Sequence, residues 1–168
     1  LMQKKFGPQP DETVTLLCVW APSQTSVHLL IDGRAPQPFD RQDDGFWAGH
    51  ADGVGPGAHY KFSAAGSDFP DPASRQQVDD ADGWSVVRGS FNLPAHNGPL
   101  HEWDQSIVCE VHVGTATPEG TFKGLMGRLE HFRDAGYTSL ELMPIAEFPG
   151  TRGWGYDGTL IFAPEAAY

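Results

Sequence analysis

The chain has 168 residues, room for one domain and part of a second, and its 39% hydrophobic content with 10 Phe, 4 Tyr and 5 Trp can fill a core, which excludes a disordered chain. Eleven Lys and Arg stand against 22 Asp and Glu, a formal charge of -11, which argues against phosphate backbones and anionic membranes, so neither nucleic acid nor a membrane is an expected partner. No run approaches the ~18 apolar residues of a membrane span, and the charged-then-apolar pattern of a signal peptide is missing, so the expected location is cytoplasmic. The acids are spread over turns (Asp40, Asp43, Asp44, Asp79, Asp80, Asp82), as on a solubilising surface. Cys18 and Cys109 sit in strand-like runs without metal-ligand spacing and are expected to be reduced, buried thiols.

From Thr13 to Ala64 the chain offers short β-rich runs bounded by turn residues: Thr13 to Trp20, Ser26 to Ile31, Phe46 to Ala51 and His59 to Ala64. This is a sandwich pattern. Within the first run, Val14, Leu16, Cys18 and Trp20 share a face by the period of two. Asp32-Gly33 and Asp44-Gly45 supply reversals. Beyond Arg75 the periodicity fades while Pro94, Asn97, Gly98 and Pro99 accumulate, which places a sandwich over 1–95 and a connector over 96–105.

The remainder, 106–168, reads as strand, helix, strand and aromatic loop. Ile107 to Val113 is nearly continuous and β-rich, as for a strand covered on both sides. Phe122, Leu125, Met126, Leu129 and Phe132 recur at helical spacing as a core-facing stripe, with Thr121 to cap the start and Gly136 to end the helix. Ser139 to Met143 supplies a second, parallel strand. Two such strands leave an open edge, so a chain of this extent is expected to aggregate or to leave its C-terminal third disordered.

The wording of EVHVGTATPEGTF, LELMPIAEFPG and RGWGYDG resembles the opening of the catalytic barrel in the alpha-amylase superfamily, and within it the malto-oligosyltrehalose trehalohydrolases. LLCVWAPSQTSVHLLIDG, GFWAGHADGVGPGAHYKFSAAG and DPAS are similar to the immunoglobulin-like module that precedes that barrel. The resemblance implies a β-sandwich followed by the first β/α elements of a (β/α)8 barrel. It further implies a retaining glycosidase that releases trehalose from malto-oligosyltrehalose, without organic cofactor or catalytic metal. A glycogen branching enzyme or another α-glucan-active relative is the alternative. The two catalytic carboxylates of such enzymes come from the fourth and fifth barrel strands, so no catalytic residue is assigned here.

Loops after the C-terminal ends of barrel strands build the active face, which singles out 114–120 and 145–158. The resemblance matches Tyr156 to the tyrosine that stacks under the sugar on the non-reducing side of the cleaved bond. Trp154 supports that loop or touches substrate, and Asp157 caps the turn or orients Tyr156; these three are the candidate substrate residues, for an α-glucan or malto-oligosyltrehalose. Gly153 to Gly158 satisfies G-x-G-x-x-G, but no helix is expected after it, so a dinucleotide is excluded. No H-E-x-x-H or G-x-S-x-G occurs, and no metal is expected. Glu110 and His112 fall on one strand face and are expected to pair in the barrel interior, with a similar place for Glu141. Glu147 lies on the active-side loop. A reading of another class makes the sandwich a non-catalytic glucan-binding or docking module, with Phe46, Trp47 and Tyr60 as its exposed aromatics.

Overall fold

The computed structural model describes residues 6–11, 14–89, 93–95, 98 and 101–168. Thr13, at the start of the first expected strand, and residues 96, 97, 99 and 100 of the expected connector lie outside the described residues.

Two antiparallel sheets form the first layer pair. One has the order β1 (Gln9–Pro10), β2 (Val14–Trp20), β6 (Phe46–Asp52), β5 (Asp40–Arg41). The other runs β4 (Gln37–Pro38), β3 (His28–Ile31), β7 (His59–Ala64), β8 (Ser67–Phe69), with β9 (Ser85–Val86) also pairing with β7. Leu17, Val19 and Trp47 from the first sheet share one core with Leu29, Ile31, Tyr60 and Phe62 from the second, which makes the pair a sandwich.

The period of two holds in β2, but the inward set is Thr15, Leu17 and Val19, while Trp20 on the other face is 61% exposed. Nearly every side chain of VTLLCVW is apolar, so alternation alone cannot choose the buried face. Trp47, 6% exposed, and Tyr60, 0% exposed, are core residues, which corrects the expectation of an exposed aromatic row. Tyr60 donates to Asp71 Oδ2 at 2.7 Å, Ser85 Oγ accepts from the Asp71 N–H at 3.0 Å, and Gln77 Oε1 accepts from Ser85 at 2.8 Å. This buried chain of partners ties β7 and β9 to the segments that carry Asp71 and Gln77. Burial raises the Tyr60 phenol, helped by the Asp71 charge, and burial also raises the Asp71 carboxyl.

In the second part β10 (Val108–Val111) pairs in parallel with β11 (Ser139–Leu142), from Val108 opposite Ser139 to Val111 opposite Leu142. Between them run α1 (Val113–Ala116), α2 (Phe122–Met126) and α3 (Leu129–Asp134). The expected single helix is therefore broken at Gly127 and Arg128. Thr121 Oγ1 does cap α2, accepting from the Gly124 N–H at 3.1 Å. Gly124 packs against Thr117, whose Oγ1 would meet an added Cβ at 2.5 Å, so glycine is kept at a position where it weakens the helix.

Only part of the apolar stripe is core: Leu125 is buried and Phe122 and Phe132 pack against it, whereas Met126 and Leu129 are exposed. Val108 and Leu142 are exposed too, so the parallel pair is not covered on both sides as expected. The chain closes with β12 (Ala146–Glu147) antiparallel to β13 (Leu160–Pro164). Cys18 and Cys109 form no disulfide; Cys18 is buried and Cys109 half-buried. Among the described residues no helix is long and apolar enough to cross a membrane.

Candidate functional site

The two segments that leave the C-terminal ends of β10 and β11 meet. His112 follows β10 directly, and its Nε2 lies 2.8 Å from the Gly153 carbonyl oxygen in the segment after β11. That segment turns back on its own origin. Gly155, at φ +86°, sits so close to Pro144 that a Cβ would lie 1.9 Å from the proline carbonyl oxygen. Phe148 is fully buried and packs edge-on to Tyr168, with ring centroids 6.2 Å apart. The loop thus meets the rest of the fold at Phe148, Gly153 and Gly155.

From this backbone Trp154 and Tyr156 project into solvent, 74% and 72% exposed. Rings of this size are usually buried, and two of them displayed on a held loop offer flat apolar faces with polar edges, the chemistry that packs against a sugar ring. Trp154 lines a cleft of about 450 Å³ together with His112, Thr115, Thr151, Arg152 and Tyr168. Tyr156 and Asp157 are outside that lining, and Asp157 Oδ1 instead lies over Gly153, 3.3 Å from where a Cβ would stand. A larger open groove of about 730 Å³ runs along Thr117, Glu119, Lys123 and Arg128 and shares no residue with the cleft. The element that follows Gly158 is β13 rather than a helix.

The expected pairing of Glu110 with His112 is not observed. Glu110 is exposed and His112 turns to Gly153, with Tyr168 Oη 3.2 Å from the same nitrogen. The strand ends at Val111, so alternation no longer dictates where the His112 side chain goes. Glu141 is exposed as well.

Glu147 is structural. Its Oε2 accepts from the Ala166 N–H at 2.7 Å, while Glu165 accepts from the Phe148 and Ala167 N–H groups, so two carboxylates bind backbone across the β12–β13 pair. Burial pushes the Glu147 carboxyl up to about 7, assisted by the charges of Glu165 and Asp80 and opposed by the Ala166 N–H. A carboxyl raised in the folded state binds more protons there than when unfolded, so the contribution of Glu147 to stability is fully present below about 4.5 and is lost as pH rises through about 7. Glu147→Gln should flatten that slope in urea unfolding followed between pH 4.5 and 7; an unchanged slope would show that another group is responsible.

Among the described residues no cluster of three His, Cys, Asp or Glu side chains is placed to hold a metal ion. No family profile matches the chain. Curated relatives do. Over 165 residues the chain is 36% identical to the malto-oligosyltrehalose trehalohydrolase of Saccharolobus solfataricus, covering 97% of this chain and 29% of that protein. Over 117 residues it is 40% identical to the malto-oligosyltrehalose trehalohydrolase of Deinococcus radiodurans, covering 68% of this chain and 20% of that one.

The chain is a sequence relative of the malto-oligosyltrehalose trehalohydrolases. It spans less than a third of the curated relatives it matches. Among solved structures it superposes on a candidate alpha amylase of Salmonella typhimurium with TM-score 0.90 at 39% identity, over 98% of this chain and 29% of that one. An Anoxybacillus pullulanase crystallised with maltotriose shares the fold, with TM-score 0.85 at 22% identity over 98% of this chain and 29% of its own. A branching enzyme of Xanthomonas axonopodis is 30% identical over 92% of this chain and 25% of its own length.

Proposed function

We propose that this chain is the N-terminal part of an α-glucan-active glycoside hydrolase that cleaves the α-1,4 bond next to the trehalose end of malto-oligosyltrehalose. The observation that carries the reading is the match, over nearly the whole chain, to proteins named for that activity. The held loop with Trp154 and Tyr156 outward supports it physically, because such rings can pack on the sugar next to the cleaved bond. On this reading 1–95 is the sandwich, 96–105 the connector and 106–168 the opening of a (β/α)8 barrel, whose catalytic carboxylates are supplied by later strands. Tyr156 and Trp154 contact the glucan, and Asp157 backs the loop at Gly153.

Branching is the neighbouring reading, favoured by the Xanthomonas relative. The products separate the two: hydrolysis yields free trehalose, whereas branching yields new α-1,6 linkages and no trehalose. The reading of the sandwich as a glucan-binding module loses its named platform, since Trp47 and Tyr60 are core residues.

Trp154→Ala and Tyr156→Ala, each in the protein that carries this chain, should raise KM for malto-oligosyltrehalose roughly tenfold, the scale of ~1.4 kcal/mol of lost ring contact. Steady-state kinetics on both variants check this. Unchanged kinetics in both would remove the loop from the substrate site.

A further inference from the structure

We propose that His112 and Asp80 are positioning residues that hold the aromatic loop at two points, so that Trp154 and Tyr156 meet a glucan from a fixed backbone. The proposal deepens the α-glucan reading and rests on it for the ligand, but not for the clamp itself.

The first hold is at Gly153. A carbonyl oxygen can only accept, so the 2.8 Å contact requires His112 to carry its proton on Nε2 and to donate it. The ring is then fixed from the side by Tyr168, edge-on at 5.6 Å between centroids, with the phenol oxygen 3.2 Å from the same nitrogen. Nε2 thereby ties the end of β10 to the peptide group that joins Gly153 to Trp154.

The second hold comes from the sandwich. The Gly150 N–H lies 3.0 Å and 3.2 Å from the two carboxylate oxygens of Asp80, seventy residues away in sequence. Asp80 is itself held: Oδ1 accepts from the Ala81 N–H at 2.6 Å, and the buried Gln77 amide donates toward the carbonyls of Asp80, Ala81 and Gly83 at 3.3–3.4 Å. The buried network of Tyr60, Asp71, Ser85 and Gln77 therefore extends through Asp80 to the loop that carries the exposed rings. Neither His112 nor Asp80 has to touch sugar for this; each acts through the backbone between Gly150 and Gly153.

The test uses the protein that carries this chain, labelled with 5-fluorotryptophan, with the Trp154 fluorine line identified by its loss in Trp154→Phe. In His112→Phe, which removes the donor, and in Asp80→Ala, which removes the acceptor, the Trp154 line should broaden or split. His112→Gln places an amide N–H near the Nε2 position and Asp80→Asn keeps one acceptor oxygen, so both should restore a single line. Should His112→Phe fail to fold, His112→Asn takes its place, since its amide reaches only the Nδ1 position. Turnover of malto-oligosyltrehalose should follow the same order, with kcat/KM falling roughly 100-fold in His112→Phe, as for a misplaced binding group, and recovering in His112→Gln. An unchanged Trp154 line in folded His112→Phe or His112→Asn and in Asp80→Ala overturns the clamp. Loss without rescue by Gln and Asn assigns the two residues a bulk packing role and overturns it too. A wild-type protein without action on α-glucans, but with the expected fluorine pattern, overturns the functional reading and upholds the clamp.

Discussion

Gly155→Ala is expected to abolish the observed path of the aromatic loop. The residue sits at φ +86°, where a side chain costs about 1–2 kcal/mol on backbone grounds alone, and its Cβ would lie 1.9 Å from the Pro144 carbonyl oxygen. Backbone cannot yield as the tip of a flexible side chain can, so the 144–155 contact must open and the total should reach about 3 kcal/mol locally. Amide hydrogen exchange should accelerate across 150–158 while the sandwich core stays protected. Gly136→Ala is the control: it has φ +95° but nothing within 4 Å of its Cβ and lies outside the loop, so only the backbone cost of about 1–2 kcal/mol remains. Equal effects of the two substitutions would mean that the Gly155 approach to Pro144 is not part of the fold.

Trp47→Ala should destabilise the sandwich by about 3–5 kcal/mol, a large part of the ~5–15 kcal/mol by which a domain is stable. The indole is 6% exposed, packs in the core shared by the two sheets, and donates its N–H to the Ala21 carbonyl at 3.0 Å. Removing it leaves a cavity and takes one of two donors from the Ala21 carbonyl, which keeps the Gln24 N–H at 3.1 Å. Trp47→Phe keeps most of the packing and should cost about half as much, near the price of one buried hydrogen bond and some volume. Equilibrium urea unfolding of the three proteins checks the order. A loss under about 1 kcal/mol in Trp47→Ala would return this residue to the surface, where the glucan-module reading needs it.

What could be read from sequence follows the range of the signals. Local punctuation was legible: Thr121 caps α2, Asp32-Gly33 lies in the turn between the paired strands β3 and β4, and Trp154 and Tyr156 flank a glycine of one loop. Alternation identified strands but not always their inner face, because β2 is apolar on both faces. The helical stripe across 122–132 was correct in period yet hid a break, since Gly124 is there to let α2 approach Thr117 and Gly127 gives no propensity to carry the helix on. His112 was misplaced beside Glu110 because the strand stops one residue earlier. Asp80 carried no signal at all: its partner is a backbone N–H seventy residues on, and no spacing rule reaches that far. The aromatic pair on the loop is visible in the sequence, whereas the contacts of His112 and Asp80 with its backbone are not.

The most direct measurement is product analysis. The protein that carries this chain is incubated with maltotriosyltrehalose and the products are separated by anion-exchange chromatography. Free trehalose with maltotriose, in equal amounts and without new α-1,6 linkages, is the expected result. A product mixture with branched glucan and no trehalose, or an intact substrate, would contradict the proposed activity.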